Sequence, residues 1–536
     1  MANYIETDLV QAGTLDKMFR RFAQLVTNPN AARPHYNAET GRYDNLADWL
    51  SIQRDGLVYG VQIPKYDYSP VTTAIKTGAN VGLTLEASSD SSAGRNDYKN
   101  RALFMCLRCN GGVDPDGTNY VTAIEGYDDR FDPTKDTYTI TPVYYKRVTE
   151  DDNYKVKEYT DTPRTGFKPC VGAYTSGGVL RDFILRACYM DSAGDFSSKS
   201  GTQPAANVGS PVAVGHCANY DFNQSKVRTV DGLTYLSYGD IAYQEDFMEL
   251  MLGVKAPRSV VVGCVSYDYQ YTVYAEEEGV KRVLLTDAQA ANIEVGSSVS
   301  IGDGSTSATD RNNAVFHNIA KCAKVLSKTP QGDGSTAINL DLEEDVDIPA
   351  TATVKTMPWR NGSCDGVLGT FGAKTPAGLT NGKMPFKFQN VEWNLGIYEV
   401  VHNMYSKAAV ANGQATHTWY IAPDVAQCSG INTGAGWTAL EQQTVGQTGN
   451  WRYIKDYKEE KGARVPENVG GTSTTGYCTA WSSSGSAGDR ETLVGGALGI
   501  GACAGVGCVY SYYTLSAAIW YIGGRSSAIG HSAPAE

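Results

Sequence analysis

Histidine is scarce in this chain of 536 residues: six, at 35, 216, 317, 402, 417 and 531. None pairs as His-x-x-x-His, and no Gly-x-Ser-x-Gly elbow accompanies them, which removes the helical zinc-protease motif and the hydrolase nucleophile motif. A Walker A lysine motif is also missing, and the run Gly499-Ile500-Gly501-Ala502-Cys503-Ala504-Gly505 has the wrong glycine spacing for a dinucleotide fingerprint. Charge is thin at 19%, too little for a disordered tail or a coiled coil. The balance of 46 basic against 58 acidic residues, formally -12, leaves no general basic field for phosphate, so no nucleic-acid partner is expected. Met1-Ala2-Asn3-Tyr4-Ile5-Glu6 lacks the basic and apolar segments of a secretory or lipoprotein leader, so synthesis in a cytoplasm is expected. The 12 cysteines then read as free buried thiols and not as a disulfide framework. Cys106-x-x-Cys109 has no second pair or His-x-His at zinc-site distance, and neither a metal nor another cofactor is expected.

Against these gaps stand 57 Gly and 34 Tyr. Residues 492–524 carry no charge, long enough for a membrane span, but Gly495, Gly496, Gly499, Gly501, Gly505 and Gly507 are too dense for a stable helix and Tyr510, Tyr512 and Tyr513 interrupt the apolar run. No membrane insertion is expected.

Along the chain, Leu15, Met18, Phe19, Phe22, Leu25 and Val26 form one stripe of a short helix after Thr14, stopped at Asn28-Pro29. Such a helix either docks or self-associates, or caps its own neighbouring domain. Alternating runs such as Val58-Tyr59-Gly60-Val61-Gln62-Ile63, parted by turns at Asn110-Gly111 and Asp116-Gly117, predict a β-rich region. Asp114, Asp116, Asn119 and Glu125 approach a calcium loop, but Gly117 falls at the wrong place and an Asp-Gly turn is the expectation. A helix with Asp240 as its cap and Gly253 as its stop follows. Brief strands between Lys281 and Pro358, separated by Gly302-Asp303-Gly304 and Gly332-Asp333-Gly334, predict a small inserted β-barrel with an acidic strand end at Asp341, Glu343, Glu344, Asp345 and Asp347.

The C-terminal half is more specific. Met384–Val401, around Asn394, Gly396 and Glu399, resembles the centre of the C-type-lectin-fold domains shared by formylglycine-generating enzymes and phage tail receptor-binding proteins. Tyr453-Ile454-Lys455-Asp456, Arg464-Val465-Pro466, Val469-Gly470-Gly471, Tyr477-Cys478 and Val494-Gly495-Gly496 look like later landmarks of the phage family, which has an acidic residue where this chain has Thr479. Val58–Pro64, Val143–Lys146 and Gly172-Ala173-Tyr174 resemble its leading half, so the likeness runs motif by motif over 58–280 and 356–536. The closing segment resembles the variable region of diversity-generating retroelement proteins, in which reverse transcription randomises template adenines. That family reads roughly Gly-Gly, scattered Asn, Gly-Ala-Asn-Ala-Gly, paired Asn, then Asn-Ile-Gly-x-Arg. Here the frame is Gly495, Gly496, Gly501, Ala502, Ala504, Gly505, Ser516, Ile522, Gly523 and Arg525. The template asparagines are replaced by Ala497, Gly499, Ile500, Cys503, Tyr510, Tyr512, Tyr513, Ala517, Ile519 and Tyr521. Changing only the adenines of an AAC codon reaches Ala, Gly, Ile, Cys and Tyr but never Lys, Glu, Gln, Met or Trp, and every one of these sites obeys that rule. Trp520 cannot arise this way and reads as template-fixed, supporting the site with Arg525.

The resemblance implies an α+β chain. Its parts are a β-rich domain 58–145 and a C-type-lectin-like ligand-binding domain from 146–280 and 356–536, while outside the resemblance the residues themselves mark an N-terminal docking segment 1–57 and an inserted β domain 281–355. It implies a phage or prophage tail adhesin, not an enzyme, carried on the virion as a homotrimer. The N-terminal segment would meet other tail components, and the diversified residues would bind a bacterial cell-surface receptor, protein or glycan. Tyrosine suits that role, being broad, amphipathic and poor in torsions to freeze; packing of Tyr510, Tyr512 and Tyr513 into the interior is the competing reading. Two other functions compete: a formylglycine-generating type of enzyme, for which Cys503 and Cys508 are the late cysteine pair, and a diversified bacterial surface protein, which calls for a leader.

Overall fold

The computed structural model describes residues 33–65, 74–114, 116–175, 177–193, 195–206, 234–303, 311–422, 436–517 and 519–527. The helix expected after Thr14 lies outside them. Strand makes up 41% and helix 10%, an α+β composition weighted strongly toward sheet. Among the described residues no helix is long and apolar enough to cross a membrane.

Helix α1 (Leu46–Gln53) buries Leu46, Trp49, Leu50 and Ile52. The next strands are β1 (Tyr59–Pro64), β2 (Ile75–Gly78), β3 (Leu107–Val113), β4 (Asn119–Ile124), β5 (Thr137–Pro142), β6 (Tyr145–Glu150), β7 (Tyr154–Thr160) and β8 (Phe183–Ala187). One sheet runs β6-β7-β1-β2 and another β8-β5-β3-β4, with Ser526–Ser527 on the far side of β8. Both sheets join residues before and after 145, the limit expected between two domains, because β1 pairs with β7 and β5 with β8. The Asp-Gly turn between β3 and β4 is as expected: Gly117 N donates to Asp114 O and Thr118 N to Asp116 Oδ1, while Arg42 takes the Asp114 carboxylate at 2.8 and 2.9 Å.

Helix α2 (Tyr238–Leu252) begins two residues before the expected cap, and its actual cap is Ser237. Ser237 Oγ accepts from Asp240 N, and the Asp240 carboxylate accepts from Ser237 N, so Asp240 is the third helical residue of a capping box. Gly253 ends the helix at φ 67, the left-handed conformation that glycine adopts without penalty. Every residue of α2 except Ile241 and Leu252 is buried, so the helix is surrounded and not amphipathic.

Strands β9 (Gln270–Thr272), β10 (Arg282–Thr286), β11 (Ser298–Gly302), β12 (Ala320–Pro330), β13 (Ser335–Leu340) and β14 (Thr353–Met357) form an antiparallel sheet ordered β9-β14-β11-β12-β13-β10. It encloses Val283, Leu285, Val299, Ile301, Val325, Ile338 and Val354. In its acidic corner Asp341 meets Arg360 at 2.5 Å and Asp347 accepts from Gly279 N.

The largest sheet comprises β15 (Tyr398–Ala411), β16 (Gln414–Ile421), β17 (Thr438–Gln447), β18 (Trp451–Glu460), β19 (Ala463–Val469), β20 (Ala480–Ser482), β21 (Gly488–Val494), β22 (Val509–Tyr510) and β23 (Ile522–Gly523). The order β17-β16-β15-β21-β22-β20-β18-β19 curls into a nearly closed barrel. Its two ends meet where the Glu460 carboxylate accepts from the backbone N–H groups of Glu441 and Gln442. Met404, Trp419, Ile421, Ile454, Tyr457, Trp481 and Val494 fill the interior. β23 pairs in parallel with the start of β15, returning the end of the chain beside Tyr398 and Glu399.

Candidate ligand-binding surface

After β21 the chain leaves the sheet, makes one short helical turn (Gly501–Cys503), returns as β22, loops outward and comes back as β23. Backbone hydrogen bonds fix this path: Gly505 N to Gly495 O, Gly501 N to Val265 O, Ser511 N to Ser482 O and Tyr398 N to Tyr521 O, all between 2.8 and 3.0 Å. Two glycines are required by close approach as well as by φ. At Gly496 (φ +153) a Cβ would stand 2.4 Å from Ala504 Cβ, and at Gly505 (φ +126) 2.0 Å from Arg258 Cδ. Gly496→Ala is therefore expected to lower stability by about 2 kcal/mol or more, read as a lower urea midpoint.

The closing residue of the frame makes the strongest contact. Arg525 is buried and grips Glu399 with two bonds, Nε to Oε2 and Nη2 to Oε1, both at 2.8 Å. Burial works against the Arg525 charge, but the Glu399 carboxylate overcomes it and makes the guanidinium hold its proton more firmly than usual. Asn394, the other polar landmark, donates to Trp359 O and accepts from Gly396 N.

The residues expected to be diversified divide by exposure. Tyr512 is 41% exposed and Gly499 is exposed, while Ile500, Cys503, Tyr510, Tyr513, Ala517, Ile519 and Tyr521 are half-buried. Ala497 departs from the expectation: at 3% exposure it packs with Tyr398, Val400, Leu493 and Cys508 and presents nothing to a ligand. Its place directly after Gly496, where the backbone turns inward, accounts for this. Of the frame, Gly495, Gly496, Ala504, Gly505, Ile522, Gly523 and Arg525 are buried, whereas Ala502 and Ser516 are exposed.

The tyrosines form one aromatic patch. Tyr510 lies 5.3 Å from Tyr513 and 6.0 Å from Tyr512; Tyr512 and Tyr513 meet edge to face at 5.5 Å. The Tyr513 and Tyr521 hydroxyls are hydrogen-bonded to each other. Two aromatic residues outside the variable segment belong to the patch and have no signal in the sequence: Tyr398 stacks on Tyr510 at 5.0 Å, and Trp451 lies 5.1 Å from it. Burial, and then its tyrosine neighbours, raise the Tyr510 phenol well beyond its ordinary range, so it stays a neutral donor. Trp520 is buried, its ring set against Tyr521 at 5.1 Å.

Of the cysteine pair, Cys508 offers little for thiolate chemistry. Cys508 is fully buried and its thiol is pushed up by that burial; Cys503 Sγ lies 3.7 Å from the Tyr453 hydroxyl. Thr479, at the position where the resembling family is acidic, donates to Cys503 O at 3.3 Å. Among the described residues no group of three or more His, Cys, Asp or Glu is arranged to hold a metal ion.

Comparison with known proteins gives no match, either to a family model or to a curated protein.

Proposed function

We propose that the chain is the receptor-binding protein of a phage or prophage tail, with a C-type-lectin-type C-terminal half whose segment 495–525 is a diversified recognition surface. The observation that carries the reading is the sorting of that segment. Nine of the proposed variable positions keep solvent exposure and most of them surround one aromatic patch, while the glycine, alanine, isoleucine and arginine frame residues are mostly buried. A surface that is rewritten must carry its substitutions where packing does not reject them. The patch is neutral, aromatic and hydroxyl-bearing, the chemistry of an adaptable paratope. In the proposed assembly the N-terminal segment docks to the tail, and a trimer multiplies modest site affinity by avidity.

The test is adsorption of the fluorescently labelled full chain to a panel of bacterial strains. Tyr512→Ser and Tyr513→Ser, both reachable by adenine changes, are each expected to weaken adsorption about tenfold, the loss of one central aromatic contact. Undiminished adsorption by a folded double variant would sink the reading.

A further inference from the structure

We infer that the inserted barrel is part of the recognition apparatus, with Arg311 and Asn312 as positioning residues for the far end of the variable surface; this rests on the reading of that surface as a receptor site. Both residues lie between β11 and β12, yet they reach position 520. Asn312 Oδ1 accepts the Trp520 backbone N–H at 2.7 Å, and the Arg311 guanidinium lies 4.5 Å from the Trp520 ring centroid, a cation–π contact. Trp520 is flanked by Ile519 and Tyr521, two of the proposed variable positions, so the stretch that presents them is held from the insert.

Arg311 is itself fixed. Its Nη2 pairs with the Asp268 carboxylate, its Nε donates to Thr356 O at 3.2 Å, and its carbonyl is 2.7 Å from His317 Nε2. It is buried, and desolvation weakens its hold on its proton, a cost that a casual surface contact does not carry. Asp268, in turn, borders the other end of the variable segment. A Cβ at Gly499 would stand 2.8 Å from Asp268 Oδ2, so a larger residue there must shift the carboxylate whose other oxygen pairs with Arg311. Positions 499 and 520 are thus joined through Asp268 and Arg311. A substitution in the 499–503 turn is felt at Ile519 and Tyr521, and the insert sets how much.

Two readouts on the full chain test this: hydrogen exchange of fragments covering 519–523, and adsorption to fixed cells of the best-binding strain. Asn312→Ala is expected to speed Trp520 amide exchange and weaken adsorption, each about tenfold, the loss of one buried hydrogen bond. Asn312→Asp keeps the acceptor and is expected to restore both. Gly499→Val is expected to speed the same exchange, but to add nothing in an Asp268→Ala background. Unchanged Trp520 exchange in Asn312→Ala overturns the inference. So does adsorption that is lost with Tyr512→Ser and Tyr513→Ser but untouched by Asn312→Ala, which leaves the receptor site standing. Adsorption indifferent to the tyrosines removes the receptor site and the inference with it.

Discussion

Replacing Arg525 by methionine is expected to cost the folded chain about 3–5 kcal/mol, because it leaves a buried carboxylate without its cation. Glu399 is 7% exposed and lines a small cavity with Trp393, Leu395 and Val494, whose other cation, Arg186, is paired with Asp240. The Arg525 guanidinium also donates to Glu392 O at 2.7 Å and Ala187 O at 3.2 Å, so it ties the start of β15 to the strand Val391–Trp393 and to β8. Arg525→Lys keeps the charge but not the fork and is expected to lose less, whereas Arg525→Met with Glu399→Met removes both charges and is expected to recover most of the loss. Urea unfolding measures all three. A single Arg525→Met change within about 1 kcal/mol of the parent would show that the pair does not clamp the segment. In the proposed reading this clamp, with β23 held beside β15, anchors the segment that carries the variable positions.

The legible parts of the sequence were those governed by local rules. Asp333 between Gly332 (φ 86) and Gly334 (φ 90) turns the β12–β13 hairpin as its composition demands, and Gly253 stops α2 for the same reason. The division into frame and variable positions came from the family resemblance, with which the codon rule is consistent, and exposure follows the same division except at Ala497, Gly501, Ala502 and Ser516. What could not be read was long-range. Trp451 and Tyr398 enter the aromatic patch because β18 and β15 lie one strand beyond β20 and β21, the neighbours of β22 in the sheet. Arg311 and Asp268 carry no motif; their meaning comes from the long-range contact that brings them together. Strand β7 alternates so that Lys155, Lys157 and Tyr159 face inward, the reverse of what lysines imply, because their partners arrive from α2 and β18.

That inversion supports a prediction as large as the first. Between α2, β6, β7, β18 and β19, four carboxylates (Glu245, Asp246, Glu249 and Glu459) meet three cations, Lys146, Lys157 and Arg464. Lys157 is central, 2.6 to 2.8 Å from Asp246, Glu249 and Glu459. Arg464 favours Glu249 at 2.7 Å over Glu245 at 3.3 Å, so Glu245 is the carboxyl left in excess. Burial, against the pull of Arg464, pushes it up to about 7, while Lys146 and Lys157 overcome burial to hold Glu459 well below its ordinary range. The signs are opposite. Glu245, raised on folding, contributes stability below about pH 4.5 that is lost as pH rises through about 7, roughly 3 kcal/mol in all. Glu459, lowered, contributes above its ordinary value and loses it in acid. Stability is therefore expected to decline between about pH 5 and 7, with Glu245→Gln flattening that slope, followed by urea unfolding across the range. Lys157→Met leaves three carboxylates around an empty centre and is expected to cost about 3–5 kcal/mol at pH 7.5 and less at pH 5, where the carboxyls take up protons. Equal losses at the two pH values, or a slope untouched by Glu245→Gln, would mean that the cluster keeps its charges in a wetter setting than its burial implies.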